Sequence, residues 1–146
     1  MALVHHFSVT SKCGDYYIGN DNFDKIAIHD DIILYMIDTI KWVISFNPSK
    51  KIFVNGLCYH GITHFDSNLV KPFKNIIIGW RDLFSNAPDD FYLTGNWITI
   101  AGSANDGEYE KISVNRCEIL AKFNALIQYC EQVENDENLI LVHDGI

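Results

Sequence analysis

The stretch 91-FYLTGNWITI-100, followed by AGSANDGEY (101–109) and EKISV (110–114), decides the fold class. Its first part is aromatic and β-branched throughout, a composition that fits a pleated, half-buried surface. The middle, rich in Gly, Asn and Asp, is a turn, and the last part reads as the returning partner of a hairpin. A hairpin imposes antiparallel pairing, because parallel strands need a crossover of a dozen or more residues. No glycine-rich strand-to-helix turn marks a nucleotide crevice. The pattern therefore predicts α+β rather than a doubly wound α/β sheet.

Working outward, the spacing of Phe73, Ile76, Ile77, Trp80, Leu83 and Phe84 predicts a helix over 69–86, with Pro72 near its start. On the other side, Asn115 and Glu118 form a capping box. The helix it opens runs to about Glu134, with Ile119, Leu120, Phe123, Leu126, Ile127, Cys130 and Val133 inward. A third helix is expected from a cap at Asp30 or Asp31 to about Phe46. Ile33, Met36, Ile37, Ile40, Val43 and Ile44 form its stripe, and Asn47-Pro48 stops it. LVHHFSVTS (3–11), KIFVNG (51–56) and LILVH (139–143) read as strands. Lys12-Cys-Gly-Asp15 reads as a turn, YYIG (16–19) as a short return strand and NDNFD (20–24) as a loop. The whole chain, 1–146, reads as a single α+β domain: an antiparallel or mixed β-sheet packed with about three α-helices.

The composition supports a packed core. Apolar residues make up 48% of the 146, which excludes the low hydrophobicity of a disordered chain. The net charge is −8, and the basic residues never cluster beyond the pair Lys50-Lys51. That is a poor footprint for nucleic acid or anionic lipid, since phosphate binding rests on Lys and Arg. The charge is uneven: residues 1–104 carry a net −2 and residues 105–146 a net −6. Four cysteines without a C-x-x-C pair, no apolar run long enough to span a membrane and no signal-like N-terminus lead to the expectation of a reduced, cytoplasmic protein.

One segment carries candidate chemistry. Asn55–Asp66, NGLCYHGITHFD, holds Cys58, His60, His64 and Asp66, all able to bind a metal or move protons. If the segment is extended, His60 and His64 lie about 13 Å apart, too far to share one zinc at ~2.0–2.1 Å. A helix would bring them together, but Gly56, Gly61, Ile62 and Thr63 disfavour one. A Cys58 nucleophile with a histidine base lacks a nearby Lys or Arg to ionise the thiol. His143 and Asp144, adjacent on a strand, point to opposite faces. The segment is read as joining a core strand to the second helix, and neither metal nor cofactor is expected.

In size, acidity, single-domain α+β character and lack of enzyme motifs, the chain resembles, at the level of the class, the immunity proteins of bacterial toxin systems. Examples are the contact-dependent inhibition and polymorphic toxin families. The resemblance implies a cytoplasmic non-enzyme, a monomer or weak homodimer, that binds a cognate toxin domain and blocks it. The toxin is often a nuclease. The carboxylates expected to face its Lys and Arg are Asp106, Glu108 and Glu110 in the hairpin, Glu131 and Glu134 on the last helix, and Asp136 and Glu137 after it. The alternative is a small enzyme or metal-binding domain using Cys58, His60, His64 and Asp66.

Overall fold

The computed structural model describes residues 3–12, 24–102 and 105–146. Its elements are β1 (Val4–Ser11), β2 (Ile26–His29), α1 (Asp30–Ile40), β3 (Ile44–Asn47), β4 (Ile52–Asn55), β5 (Ile62–Phe65), α2 (Val70–Phe84), β6 (Asp90–Thr99), β7 (Gly107–Asn115), α3 (Arg116–Glu134) and β8 (Leu139–Asp144). Six strands form one antiparallel sheet in the order β2-β1-β8-β5-β3-β4, and β6 pairs with β7 in a separate two-stranded sheet. The fold is α+β, with three helices among the described residues. The 16–19 strand, most of the 20–24 loop and most of the 12–15 turn lie outside the described residues.

Strand register explains which side chains meet the helices. Phe7 lies opposite His143, Thr63 opposite His143, and Phe65 opposite Leu141. With His5, Ile26 and Ile28 these residues share one face of the sheet and are buried. The helices cover this face. Phe73 of α2 stacks on Phe65 at 4.6 Å and on Phe7 at 6.0 Å, and Phe84 stacks on Phe123 of α3 at 5.9 Å. Trp80 donates its indole N–H to the Thr39 hydroxyl at 2.9 Å, tying α2 to α1.

The expected helix to Phe46 is too long. It stops at Ile40, and residues 44–47 turn into β3. Val43 and Ile44 fit the helical stripe by spacing alone, yet they are β-branched and flanked by Trp42 and Phe46, which suits a strand as well. A hairpin partner settles the choice: Ile44 pairs with Asn55 and Asn47 with Ile52 across the NPSKK turn. Gly56, at φ +78°, donates its N–H to Val43 at 2.8 Å, and its carbonyl accepts from the Ser45 hydroxyl. A Cβ there would sit 3.2 Å from the Lys41 backbone, so glycine is needed for both conformation and space. The cap of α1 also differs. His29 occupies the cap, its Nδ1 accepting from the Asp31 N–H at 3.1 Å, and Asp30 and Asp31 begin the helix proper.

The core predicts its own weak point. Phe73→Ala removes the ring that touches two strands at once and should cost about 3–5 kcal/mol. Urea unfolding should show a lower midpoint at an unchanged slope.

Candidate functional site

Three groups of chemistry-bearing residues emerge: a buried polar chain, the 55–66 segment, and the arm formed by β6 and β7.

The buried chain starts at Asp30, the first residue of α1, where the helix dipole favours a carboxylate. Its Oδ1 is 3.0 Å from His5 Nε2 and accepts from the Tyr59 hydroxyl at 2.6 Å. His5 Nδ1 is 2.8 Å from His143 Nε2, and His143 Nδ1 is 3.2 Å from Thr63 Oγ1. Thr63 Oγ1 in turn accepts from the Cys58 N–H at 2.7 Å. One consistent assignment has His5 donating from Nε2 to Asp30 and accepting at Nδ1 from His143 Nε2–H, with His143 Nδ1 accepting from the Thr63 hydroxyl. In that assignment every step has one donor and one acceptor. Burial, then the neighbouring His5, drives the His143 pKa down to about 3. The Asp30 hydrogen bond, then burial, pushes the Tyr59 hydroxyl up to about 12, so it stays a donor. His5, Thr63 and His143 are fully buried. The chain knits β1, α1, β5 and β8 together and offers no open position to a substrate.

Sequence reading missed this chain. Sequence alone sets His143 beside Asp144, its neighbour, and those two do point apart. The usable signal was parity: His5-x-Phe7 and Leu141-x-His143 each place a histidine in step with a core residue.

The 55–66 segment divides. Only Ile62–Phe65 is extended, as β5. His64 lies on the sheet face away from the helices, opposite Phe46 and Val142, and its burial lowers its pKa. His60 is exposed, with Nδ1 3.1 Å from the Ile146 carbonyl. Cys58 is half-buried before the strand, its N–H already bonded to Thr63. Asp66 accepts from the Asn68 and Leu69 N–H groups at 2.9 and 3.0 Å, at the entry to α2. Among the described residues no group of three His, Cys, Asp or Glu converges on a common ion position. Burial pushes the Cys130 thiol up to about 12, which removes it as a nucleophile.

The arm is the third group. Leu93 and Val114 bury its base, with Phe91 and Ile112 packed against the core. Beyond them the strands are exposed. An irregularity between Thr94 and Trp97 changes which side chains share a face. Trp97 then pairs with Tyr109, ring centroids 5.1 Å apart, on the face that also bears Tyr92. Gly107 lies beneath that tryptophan, since a Cβ there would come within 2.7 Å of the ring. Tyr92, Trp97, Ile98, Ile100 and Tyr109 are all large and exposed.

Glu108 and Glu110 occupy the opposite face of β7, in step with Ile112. There the arm and α1 enclose a cleft of about 210 Å³, lined by Asp31, Leu34, Tyr35, Asn96, Glu110 and Ile112 together with Thr94 and Gly95. The lining includes two carboxylates and no base. Glu131, Glu134, Asp136 and Glu137 sit at the far end of the 19-residue α3, roughly 28 Å long. Glu134 is already paired with Lys74, whose pKa it raises. The expected acidic residues thus form two groups separated by the length of α3.

No protein-family model matches this chain, and neither curated proteins nor solved structures yield a match. Among the described residues no helix is long and apolar enough to cross a membrane.

The neutral chain makes stability depend on pH. Folded His143 stays neutral to about pH 3, whereas the unfolded residue takes a proton near 6.5. The stabilisation is therefore complete above about pH 6.5 and is lost as pH falls towards 3, by up to tenfold in the unfolding constant per pH unit. Denaturant unfolding of wild type and His143→Leu across that range checks this. The variant should be less stable at pH 7, and its curve should converge with that of wild type as pH falls.

Proposed function

We propose that this protein acts by binding, and that its target is a cationic domain of another protein. The reading is the one its class-level resemblance implies: a cytoplasmic immunity or inhibitor protein that neutralises a cognate toxin domain, such as a nuclease. The observation that carries it is the acidic cleft between α1 and the arm. Asp31 and Glu110 face it with no Lys or Arg in its lining, and Leu34 and Tyr35 supply apolar walls. A Lys or Arg side chain fits such a site: its stem lies on the apolar wall while its head pairs with the carboxylates.

The arm's other face adds anchors. Exposed aromatic residues on a preordered strand lose little side-chain freedom on binding and contribute most where a partner covers them. Trp97 is held between Tyr109 and Gly107, so much of that ordering is already complete. Carboxylates around such anchors speed encounter with a positive partner and reject acidic ones. The second acidic group, Glu131, Asp136 and Glu137, would steer from a distance rather than share the same contact.

Binding kinetics with the cognate partner, taken from the native host by pull-down, test this. Glu110→Lys with Glu108→Lys should lower the association rate by about tenfold or more and flatten its salt dependence. Trp97→Ala should instead raise the dissociation rate, costing about 2 kcal/mol or more if the ring is a central anchor. Unchanged kinetics in both variants would remove the arm from the interface.

A further inference from the structure

The opposite edge of the molecule has the complementary character. Residues 41–65 contain Lys41, Lys50 and Lys51 and no acidic residue, in a chain that holds 19 acids. They fold into the β3–β4 hairpin and β5. β4 is the terminal strand of the six-stranded sheet, and among the described residues no strand pairs with its outer side. Its side chains do not blunt that edge. Phe53 is 68% exposed and Ile52 49%, with Ile44 beside them at 53% and Trp42, just before β3, at 73%. Lys50 and Lys51 stand at the tip of the hairpin, adjoining these apolar residues. A basic, apolar, hydrogen-bonding strand edge is an unfinished surface.

From this complementarity we infer that the β3–β4 edge of one copy docks on the β6–β7 arm of a second copy. The arm supplies what the edge lacks. Residues 90–115 carry Asp90, Asp106, Glu108 and Glu110 against Lys111 and Arg at none of the strand positions. As a two-stranded sheet the arm also has strand edges outside its own ladder, and Ile98, paired with Glu108, is exposed beside the carboxylates. In the docked pair, Lys50 and Lys51 meet Glu108 and Glu110, and Phe53 covers the exposed Ile98 on the carboxylates' face of the arm. Strand addition at the β4 edge satisfies backbone groups that otherwise face water. Two such contacts related by a two-fold axis close a dimer.

The inference goes beyond the proposed binding of a cationic partner, though both use the arm's carboxylates. It implies that self-association and partner binding compete for the arm. The proposed partner contact does not use the basic edge, so substitutions there separate the two readings.

A charge swap tests it. One variant carries Lys50→Glu and Lys51→Glu, the other Glu108→Lys and Glu110→Lys; all four positions are exposed, and circular dichroism confirms folding of each. Light scattering and sedimentation should find wild type at twice the chain mass at high concentration. Each variant alone should associate at least about tenfold more weakly, and an equimolar mixture should regain the dimer, because the acidic edge of one now meets the basic arm of the other. Phe53→Ser should weaken association without altering charge. A wild type that stays monomeric at several hundred micromolar overturns the inference, as does a dimer that persists in both variants. So does a monomer that co-sediments with phosphatidylserine vesicles through Lys50 and Lys51, because the edge would then serve a membrane surface.

Discussion

Four segments far apart in sequence meet through a single file of hydrogen bonds: Asp30 to His5, His5 to His143, His143 to Thr63. A buried polar group without a partner costs free energy, so such a chain is tolerated only when every member is satisfied. Here each ring nitrogen has a partner, and that fixes more than the histidines. It sets the register of β1 against β8 and of β8 against β5, because a one-residue slip would turn the imidazoles to the other face. It also holds the start of α1 against the sheet and Tyr59 over that junction. Gly145 completes the arrangement: its N–H bonds to the Gly61 carbonyl, and a Cβ would strike the Tyr59 carbonyl. The 58–61 turn is thereby pinned, and its polar residues are spent on structure.

With the core so constrained, what remains for recognition lies at the periphery. The helices occupy one face of the sheet, and the arm stands apart from the six strands, anchored by Leu93 and Val114 at its base. Its two faces differ. Tyr92, Trp97 and Tyr109 gather on one, while Glu108 and Glu110 lie on the other, where Glu110 faces the cleft against α1. The separation follows from the irregularity between Thr94 and Trp97: β6 gains a residue relative to β7 there, so side chains that would alternate regularly are re-sorted beyond it. The molecule thus carries a charged contact and an aromatic contact on the same thin element.

Much of the fold was legible in sequence. The helical stripes of α2 and α3, the Asn115 cap and the 91–114 hairpin all follow from periodicity and turn chemistry, and they are local. The Asn115 side chain does accept from the Glu118 N–H, at 3.0 Å. What escaped was decided at a distance. Ile44–Asn47 satisfies both a helical and an extended pattern, and only its pairing with Ile52–Asn55 selects the strand. The short strands Ile26–His29 and Ile62–Phe65 have too few residues for alternation to declare itself, and neighbours on the sheet define them. The candidate site fared likewise. Charge counting found the carboxylates of the final third, but sequence could not show that Glu110 shares a cleft with Asp31 of α1, or that α3 holds the other acids apart.

The position of β8 has a consequence for how the molecule is made. The strand closest to the end of the sequence lies in the interior of the sheet, flanked by β1 and β5. His5 and His143 are 138 positions apart, and their contact closes almost the whole chain into one loop. During synthesis, β1 and β5 must wait for a partner that is made after both of them, and the edges that β8 will cover stay open meanwhile. Long-range pairing of this kind slows folding, because the entropy of closure is spent before the contacts form. A nascent chain with a gap in the middle of its sheet is a natural client for chaperones that shield unpaired strands.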